Sequence, residues 1–523
     1  MKKALSIILA ALMLFSLSTV AFAAEYSQPF ATGTKGSETF RIPALWTLND
    51  GSVIAAADMR YDHGSDSPNN IDSLVAISDN GYSNWNYKVI NHFDDYADGK
   101  TATASASFID MAIAQSSTGR IFIVVDAQPA NCGYLQCEKG TGYAYIDGAN
   151  RMLLTTGDNT KKPDTFNYYI GDYDENGFAP ILNRADKKET GYFVDAEFDL
   201  YKDGKGAGYE VWTTQKGTEE TVYVKQNVFY ADSPFKCFCS TFLWMRYSDD
   251  NGATWSAPSI LTGQIKQSGD VFLGICPGRG FTTTLPNGTE RIIFAVYDNG
   301  ILGWNVFENV STIYSDDNGV TWQRGEQTVC GIQVGKTSES QIVDLGNGVL
   351  RMFSRNKGNF IAYADSFDYG ISWTDFKSDL NLSAYGDCMC SFIDTEINGQ
   401  KAVIGSFPSN NSMRADGVIK VGFVKSDNSI NWVSTYKLPG KFYRWENFYA
   451  YSCITEISQN TYGILYEDEA AHISYMIFTV DKDGNVKEVN GNDPEPNPNS
   501  TPLTFWQKIV NFFKNLFARL FNF

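Results

Sequence analysis

An all-β chain folded as a β-propeller is what this sequence predicts, and three observations carry the prediction. Aromatic residues make up 14 % of the 523 residues, with 29 Tyr and 45 Gly, and strongly helical stretches are rare. That composition favours short strands and tight turns. Strand-like runs recur at 52–60, 119–127, 291–299, 349–355, 417–425 and 463–467, bounded by Gly, Asn or Asp. Finally, one turn motif occurs three times: Ser248-x-Asp250-x-Gly252-x-Thr254-Trp255, Ser315-x-Asp317-x-Gly319-x-Thr321-Trp322 and Ser366-x-Asp368-x-Gly370-x-Ser372-Trp373. The copies start 67 and 51 residues apart, and weaker relatives stand at Ser78–Trp85 and Lys425–Trp432. Repeats of that period, each holding several strands, are those of a propeller.

The motif has a mechanical reading. Its Asp accepts backbone N–H groups within the turn, its Gly supplies a positive φ, and its Trp packs into the sheet. These carboxylates are therefore expected to hold the fold together rather than to do chemistry.

Taken in order, the chain opens with Lys2-Lys3, an apolar run from Ala4 to Val20, and Ala21-Phe22-Ala23. This is the pattern of a cleaved export signal over residues 1–23, with an uncleaved anchor as the alternative. Its removal takes the formal net charge from −18 to −20. The propeller is expected to fill 24–490. From about 131 to 226 no copy of the turn motif appears, and short strands such as Gly191–Asp195 and Tyr209–Thr213 alternate instead. Residues 491–502 form an extended Pro-rich linker. Beyond it, 503–523 reads as an amphipathic helix: Lys508, Asn511, Asn515, Arg519 and Asn522 share a face, aromatic and aliphatic residues fill the rest, and there are three positive charges and no acids. Such a helix suits a membrane surface or a partner's groove, and a packed terminal helix is the plainer reading.

Strong acidity argues against nucleic acid as a partner, and an anionic ligand would need a local cluster of Arg. Nine Cys leave at least one thiol unpaired in a monomer, the expected state. The pairs Cys237-x-Cys239 and Cys388-x-Cys390 lack zinc-ligand spacing, whereas Cys132 and Cys137 could bridge across a loop. Only His63, His92 and His472 are present, which disfavours a His-based metal site or a Ser-His-Asp triad. No cofactor and no metal are called for.

Phe40-Arg41-Ile42-Pro43, the segment Arg60 to Asp66, and the three turn copies together resemble the bacterial sialidases, over about residues 36–485. The resemblance implies a six-bladed β-propeller, with the turn motif (the family's Asp box) on its outer rim and a small inserted β-domain at 131–226. It implies cleavage of terminal α-linked sialic acid from glycoconjugates. A sialoside carries a carboxylate on its anomeric carbon, and guanidinium groups are the strongest means of gripping one. The family's three arginines match Arg41, Arg355 in Phe353-Ser-Arg-Asn356, and Arg414 in Ser412-Met-Arg-Ala-Asp416. A lone Arg at a strand end is ordinarily a solvated charge; three in family register in so acidic a chain are not.

The substrate carboxylate would repel an anionic nucleophile, and a phenol avoids that. Sialidases with a Tyr nucleophile are among the handful of exceptions to two-carboxylate glycoside hydrolysis. Tyr451 in Tyr451-Ser452-Cys453 resembles the family's nucleophile, and Glu339, 16 residues before Arg355, its base. Asp66 matches the acid/base, with Asp62 and Asp72 as alternatives, and is expected to have its pKa lifted by burial against the sugar. Glu467 resembles the Glu that orients Arg41, while Arg60 and Asp110 match residues at the sugar's 4-hydroxyl.

The reading is a secreted or cell-surface-associated sialidase of retaining mechanism acting on sialylated glycans. One alternative is an intramolecular trans-sialidase that releases an anhydro-sialic acid. Another is a non-catalytic glycan-binding propeller, which would have no reason to keep Tyr451, Glu339 and Asp66 together. A different glycosidase would have no use for three convergent arginines.

Overall fold

The computed structural model describes residues 27–61, 63–93, 105–203, 209–216, 221–302, 305–328, 334–440, 442–443, 446–469 and 472–489. The expected signal at 1–23, linker at 491–502 and terminal helix at 503–523 lie outside the described residues, as does Asp62. Among the described residues helix is confined to short turns such as Thr262–Ile265, and no helix is long and apolar enough to cross a membrane.

The architecture is all-β and propeller-like. Four blades stand as separate antiparallel sheets. One holds Phe272–Ile275, Phe281–Thr284, Glu290–Leu302, Asn305–Ser315 and Gln323–Arg324. The next runs Thr337–Gly346, Val349–Asn356, Phe360–Ser366 and Lys377–Ser383. Ser391–Ile397, Gln400–Pro408, Gly417–Val424 and Ile430–Lys437 make the third, and Ser452–Ser458, Thr461–Glu469, His472–Val480 and Val486–Glu488 the fourth. The six separate blades expected are thus not found among the described residues. The strands from Thr39 to Gln128, with Phe242–Ser248, Ser259–Ile260 and Gly278–Arg279, are instead merged into one nine-stranded sheet, in which Ile71 pairs in parallel with Ser107 and Gly278–Arg279 adds in parallel to Ser107–Gln115.

The ends of the ring meet. The first strand, Thr39–Thr47, lies against Ser452–Ser458, with the Leu45 amide donating to Cys453 Sγ at 3.2 Å and the Thr47 amide to Thr455 Oγ1 at 3.0 Å. Phe30, Phe40, Leu45, Leu465 and Ile477 bury together at this seam.

The repeated turn is a staple between sheets. In the first copy Asp250 Oδ1 accepts from Ser248 Oγ and the Thr254 amide, both at 2.8 Å, and Oδ2 from Thr254 Oγ1 at 2.6 Å. Asp317 and Asp368 repeat these contacts. The hydrogen bonds hold Asp250 down at about 2. Gly252 has φ 84°, and a Cβ there would fall 2.3 Å from Ile77 Cδ1 on Ile71–Ser78. Gly319 stands likewise against Phe122. Glycine thus provides both the turn conformation and the close approach.

Between Ile121–Gln128 and Phe242–Ser248 the chain leaves the ring and forms a separate eight-stranded sheet from Tyr143–Ile146 to Lys236–Cys237, with a hairpin of Trp212–Lys216 and Thr221–Lys225. Phe93, Phe108, Phe198, Phe229 and Trp244 interleave where it meets the nine-stranded sheet, the first two stacked at 4.1 Å.

Candidate active site

Several of the residues singled out from sequence sit at irregular points of strands. Register shifts fall between Arg41 and Ala44, Ile109 and Met111, Thr337 and Ser340, and Glu467 and Glu469. Bulges of this kind re-aim a side chain out of the sheet's alternation, and here they bracket Ile42, Asp110 and Glu339 and adjoin Glu467. Ile42 has φ 56° and Asp110 φ 65°. For a β-branched residue such as Ile42 that conformation costs about 1–3 kcal/mol and persists only where surrounding contacts impose it. The contact is explicit: the Ile42 amide donates to Glu467 Oε1 at 3.0 Å.

Tyr451 is the hub. Its side chain is buried, and its hydroxyl donates to Glu339 Oε1 at 2.6 Å. Arg355 Nη1 donates both to the phenolic oxygen at 3.0 Å and to Glu339 Oε2 at 2.7 Å. The Arg414 guanidinium carbon lies 5.3 Å from the Tyr451 ring centroid and that of Arg41 5.6 Å. The structure therefore brings Arg41, Arg355, Arg414, Glu339 and Tyr451 together from four regions of the chain.

Each arginine is held differently. Arg41 Nε and Nη2 meet the two oxygens of fully buried Glu467 at 3.2 Å each, a bidentate pair. Arg355 gives two further N–H groups to Asp387 Oδ1 at 3.0 and 2.9 Å, and Lys357 grips the other oxygen of that carboxylate. Arg414 donates only to the Asp387 carbonyl at 3.4 Å among described contacts, so it has the most unused hydrogen-bonding capacity of the three.

Asp66 projects from the loop after Val53–Arg60, its side chain 67 % exposed. Its Oδ1 accepts from Arg60 Nη1 at 2.8 Å and from Arg41 Nη1 at 3.3 Å. Arg60 is fully buried and also donates to Asp58 Oδ2 at 2.8 Å and to the Gly64 carbonyl at 2.6 Å. Desolvation pulls the Asp66 carboxyl upward, but Arg60 and Arg41 outweigh it and leave it below the ordinary carboxylate range. The lift expected is that of burial against the sugar; in the resting loop Asp66 instead stands on two guanidinium groups. Of the alternatives to Asp66, Asp72 is buried on Ile71–Ser78 and bonded to Tyr61 and His92.

Burial and the Glu339 carboxylate push the Tyr451 phenol well above 10, against the pull of Arg355 and Arg414. It rests protonated, with its proton aimed at Glu339. Asp110 is likewise pushed well up by burial, then by Asp58 and Glu339, and its backbone N–H is tied to Asp58 Oδ1 at 3.1 Å. A cavity of about 200 Å³ opens beside these groups, lined by Asp66, Asp110, Glu339, Arg355 and Tyr451. A larger one, about 580 Å³, lies next to the extra sheet and contains none of them.

Several lining residues were missed by sequence reasoning. Asp126 and Gln128, at the end of Ile121–Gln128, border the cavity, as do Tyr134 and Glu308, hydrogen-bonded to each other. Asp387, which holds Arg355, sits between Gly386 and Cys388 with no motif around it.

Comparison with known proteins agrees with this geometry. A BNR repeat-like domain matches residues 213–398. An anhydrosialidase of Macrobdella decora is 30 % identical over 84 % of this chain and 59 % of that protein, and Sialidase B of Streptococcus pneumoniae is 28 % identical over 89 % and 67 %. The chain thus spans about three-fifths to two-thirds of the length of these curated relatives. A solved intramolecular trans-sialidase from Ruminococcus gnavus, in complex with oseltamivir carboxylate, superposes with a TM-score of 0.73 at 28 % identity, over 90 % of this chain and 99 % of that one. In sequence and in fold together, the chain is thus similar to bacterial-type sialidases over most of its length.

Proposed function

We propose that this protein cleaves terminal α-linked sialic acid from glycoconjugates with retention at the anomeric carbon. The observation that carries the reading is a buried phenol donating at 2.6 Å to a carboxylate and bounded by three guanidinium groups. Arg41, Arg355 and Arg414 would receive the substrate carboxylate, and Arg414 has the most capacity to spare. Tyr451 Oη attacks the anomeric carbon as its proton passes to Glu339 Oε1, so that no anion forms beside the substrate's own charge. Asp66 donates a proton to the departing oxygen and later takes one from the acceptor. To do so it must first bind a proton. The substrate carboxylate supplies the means: by competing for Arg41 it removes part of the charge that holds Asp66 ionised, and the sugar displaces water.

The names of the relatives favour a second reading, in which a hydroxyl of the sugar itself is the acceptor. One is called an anhydrosialidase and another an intramolecular trans-sialidase. Incubation with an α2,3-linked sialyl oligosaccharide and mass spectrometry of the products tests both. Release of the shortened oligosaccharide supports sialidase action, and a sialic acid lighter by one water marks internal transfer. Recovery of intact substrate would refute the assignment.

We also infer export directed by residues 1–23 and action as a monomer at or beyond the cell surface, with 503–523 as a surface anchor. N-terminal sequencing of the protein from culture medium, and fractionation after deletion of 503–523, test these assignments. An N-terminus at Met1, or unchanged association after deletion, would count against them.

A further inference from the structure

The turn that carries Tyr134 into the cavity is bracketed by two cysteines that touch. Cys132 and Cys137 are both buried, and their sulfur atoms lie 3.8 Å apart. The amides of Gln136 and Cys137 both donate to the Gly133 carbonyl, at 3.0 and 3.2 Å, which brings the two ends of the turn together. The turn abuts catalytic parts on two sides. A Cβ on Gly133 would fall 2.3 Å from the Ser67 carbonyl oxygen, so the turn backs the loop next to Asp66. Tyr134 packs edge-on to Phe272 at 4.9 Å and hydrogen-bonds Glu308, and all three line the cavity.

We propose that Cys132 and Cys137 are joined as a disulfide in the mature protein, stapling the turn that buttresses the Asp66 loop and presents Tyr134. The proposal rests on the exported reading above, because structural disulfides form and persist in oxidising compartments. A bond needs sulfur atoms about 2 Å apart, and the two sulfur atoms already stand in contact at 3.8 Å. The chemistry around the pair is suited to it. Cys137 Sγ lies within hydrogen-bonding distance of Cys132 Sγ at 3.8 Å, of Thr241 Oγ1 at 3.5 Å and of the Gly133 carbonyl at 3.4 Å. Donation from Cys132, opposed by burial and aided by the Lys266 ammonium, brings Cys137 down to about 7. The thiolate is the attacking species.

The oxidant is a low-molecular-weight disulfide, met as the chain folds. Cys137 thiolate attacks one of its sulfur atoms, forming a mixed disulfide and releasing one small thiol. Cys132, losing its proton, then attacks Cys137 Sγ and releases the second. Two protein thiols are oxidised and one small disulfide is reduced to two thiols.

The test is a peptide map of the full-length protein after incubation with glutathione disulfide, unfolded and alkylated without reductant. A Cys132–Cys137 linkage is expected. Dithiothreitol should abolish it and raise KM for a sialoside several-fold with a smaller change in kcat, and C132S/C137S should show that raised KM with no response to dithiothreitol. Alkylation of both residues in the oxidised sample, or linkage of Cys132 to Cys239 instead, would overturn the proposal. The map needs no variant to fold. It is also separate from catalysis: linkage without sialoside cleavage would support the staple and count against the hydrolase reading, and cleavage with both thiols free the reverse.

Discussion

Replacing Glu339 with Gln tests the most specific geometry in the site. Glu339 receives the Tyr451 hydroxyl at 2.6 Å on one oxygen and Arg355 Nη1 at 2.7 Å on the other. An amide is nearly the same shape but has one acceptor oxygen and negligible basicity, so it can serve one of these donors and cannot take the phenol's proton. Loss of a positioned general base lowers rate by roughly 10²–10⁴-fold, or about 3–5 kcal/mol of barrier. Substrate binding should change much less, since Arg355 keeps two N–H contacts to Asp387 at 3.0 and 2.9 Å. One charge-assisted hydrogen bond is lost from the folded state, worth about 2 kcal/mol. The assay is kcat and KM on a fluorogenic sialoside, with urea denaturation of both proteins. A fall in kcat of less than tenfold would mean that another group activates Tyr451, and the proton path argued here would be wrong.

Tyr451→Phe should lower turnover by orders of magnitude while an unreactive sialic acid analogue still binds, measured by calorimetry; turnover near that of the parent would remove Tyr451 from its role. Asp66→Ala should slow natural glycosides far more than those with an activated phenol as leaving group, and equal losses on both would contradict proton donation. Asp58 bears on stability: burial, against the pull of Arg60, raises it from 3.8 to about 6. The folded protein then holds a proton that the unfolded chain releases, so this group's contribution to stability falls as pH rises from 3.8 through about 6. Urea midpoints between pH 4 and 7 should show that decline and a flatter profile in Asp58→Asn; identical slopes would refute it.

Local features were legible in the sequence and nonlocal ones were not. The turn staple could be read because its Asp, Gly and Thr meet within four residues, as in Asp250 with Thr254. Tyr451, Glu339 and the arginines were found through motif context, and the spacing along the chain could not itself show that they converge. The merged nine-stranded sheet escaped, since a single pairing of Ile71 with Ser107 decides it and neither residue is distinctive. The resting contacts of Asp66 also escaped. They depend on the reach of Arg60 and Arg41 across a folded loop, which neighbouring residues do not disclose. Tyr134 enters from a turn after the nine-stranded sheet's Ile121–Gln128, and its partner Glu308 is 174 residues away. Among 29 tyrosines nothing distinguishes it.

The central claim is that a phenol held between a carboxylate and three guanidinium groups attacks an acidic sugar. Trapping states it most directly: incubation with a fluorinated sialosyl fluoride, which forms a slow-turnover glycosyl adduct, followed by proteolysis and tandem mass spectrometry. The adduct should sit on Tyr451 and be absent from Tyr451→Phe. An adduct on Asp66 or Glu339, or inactivation with no covalent sugar, would contradict the account.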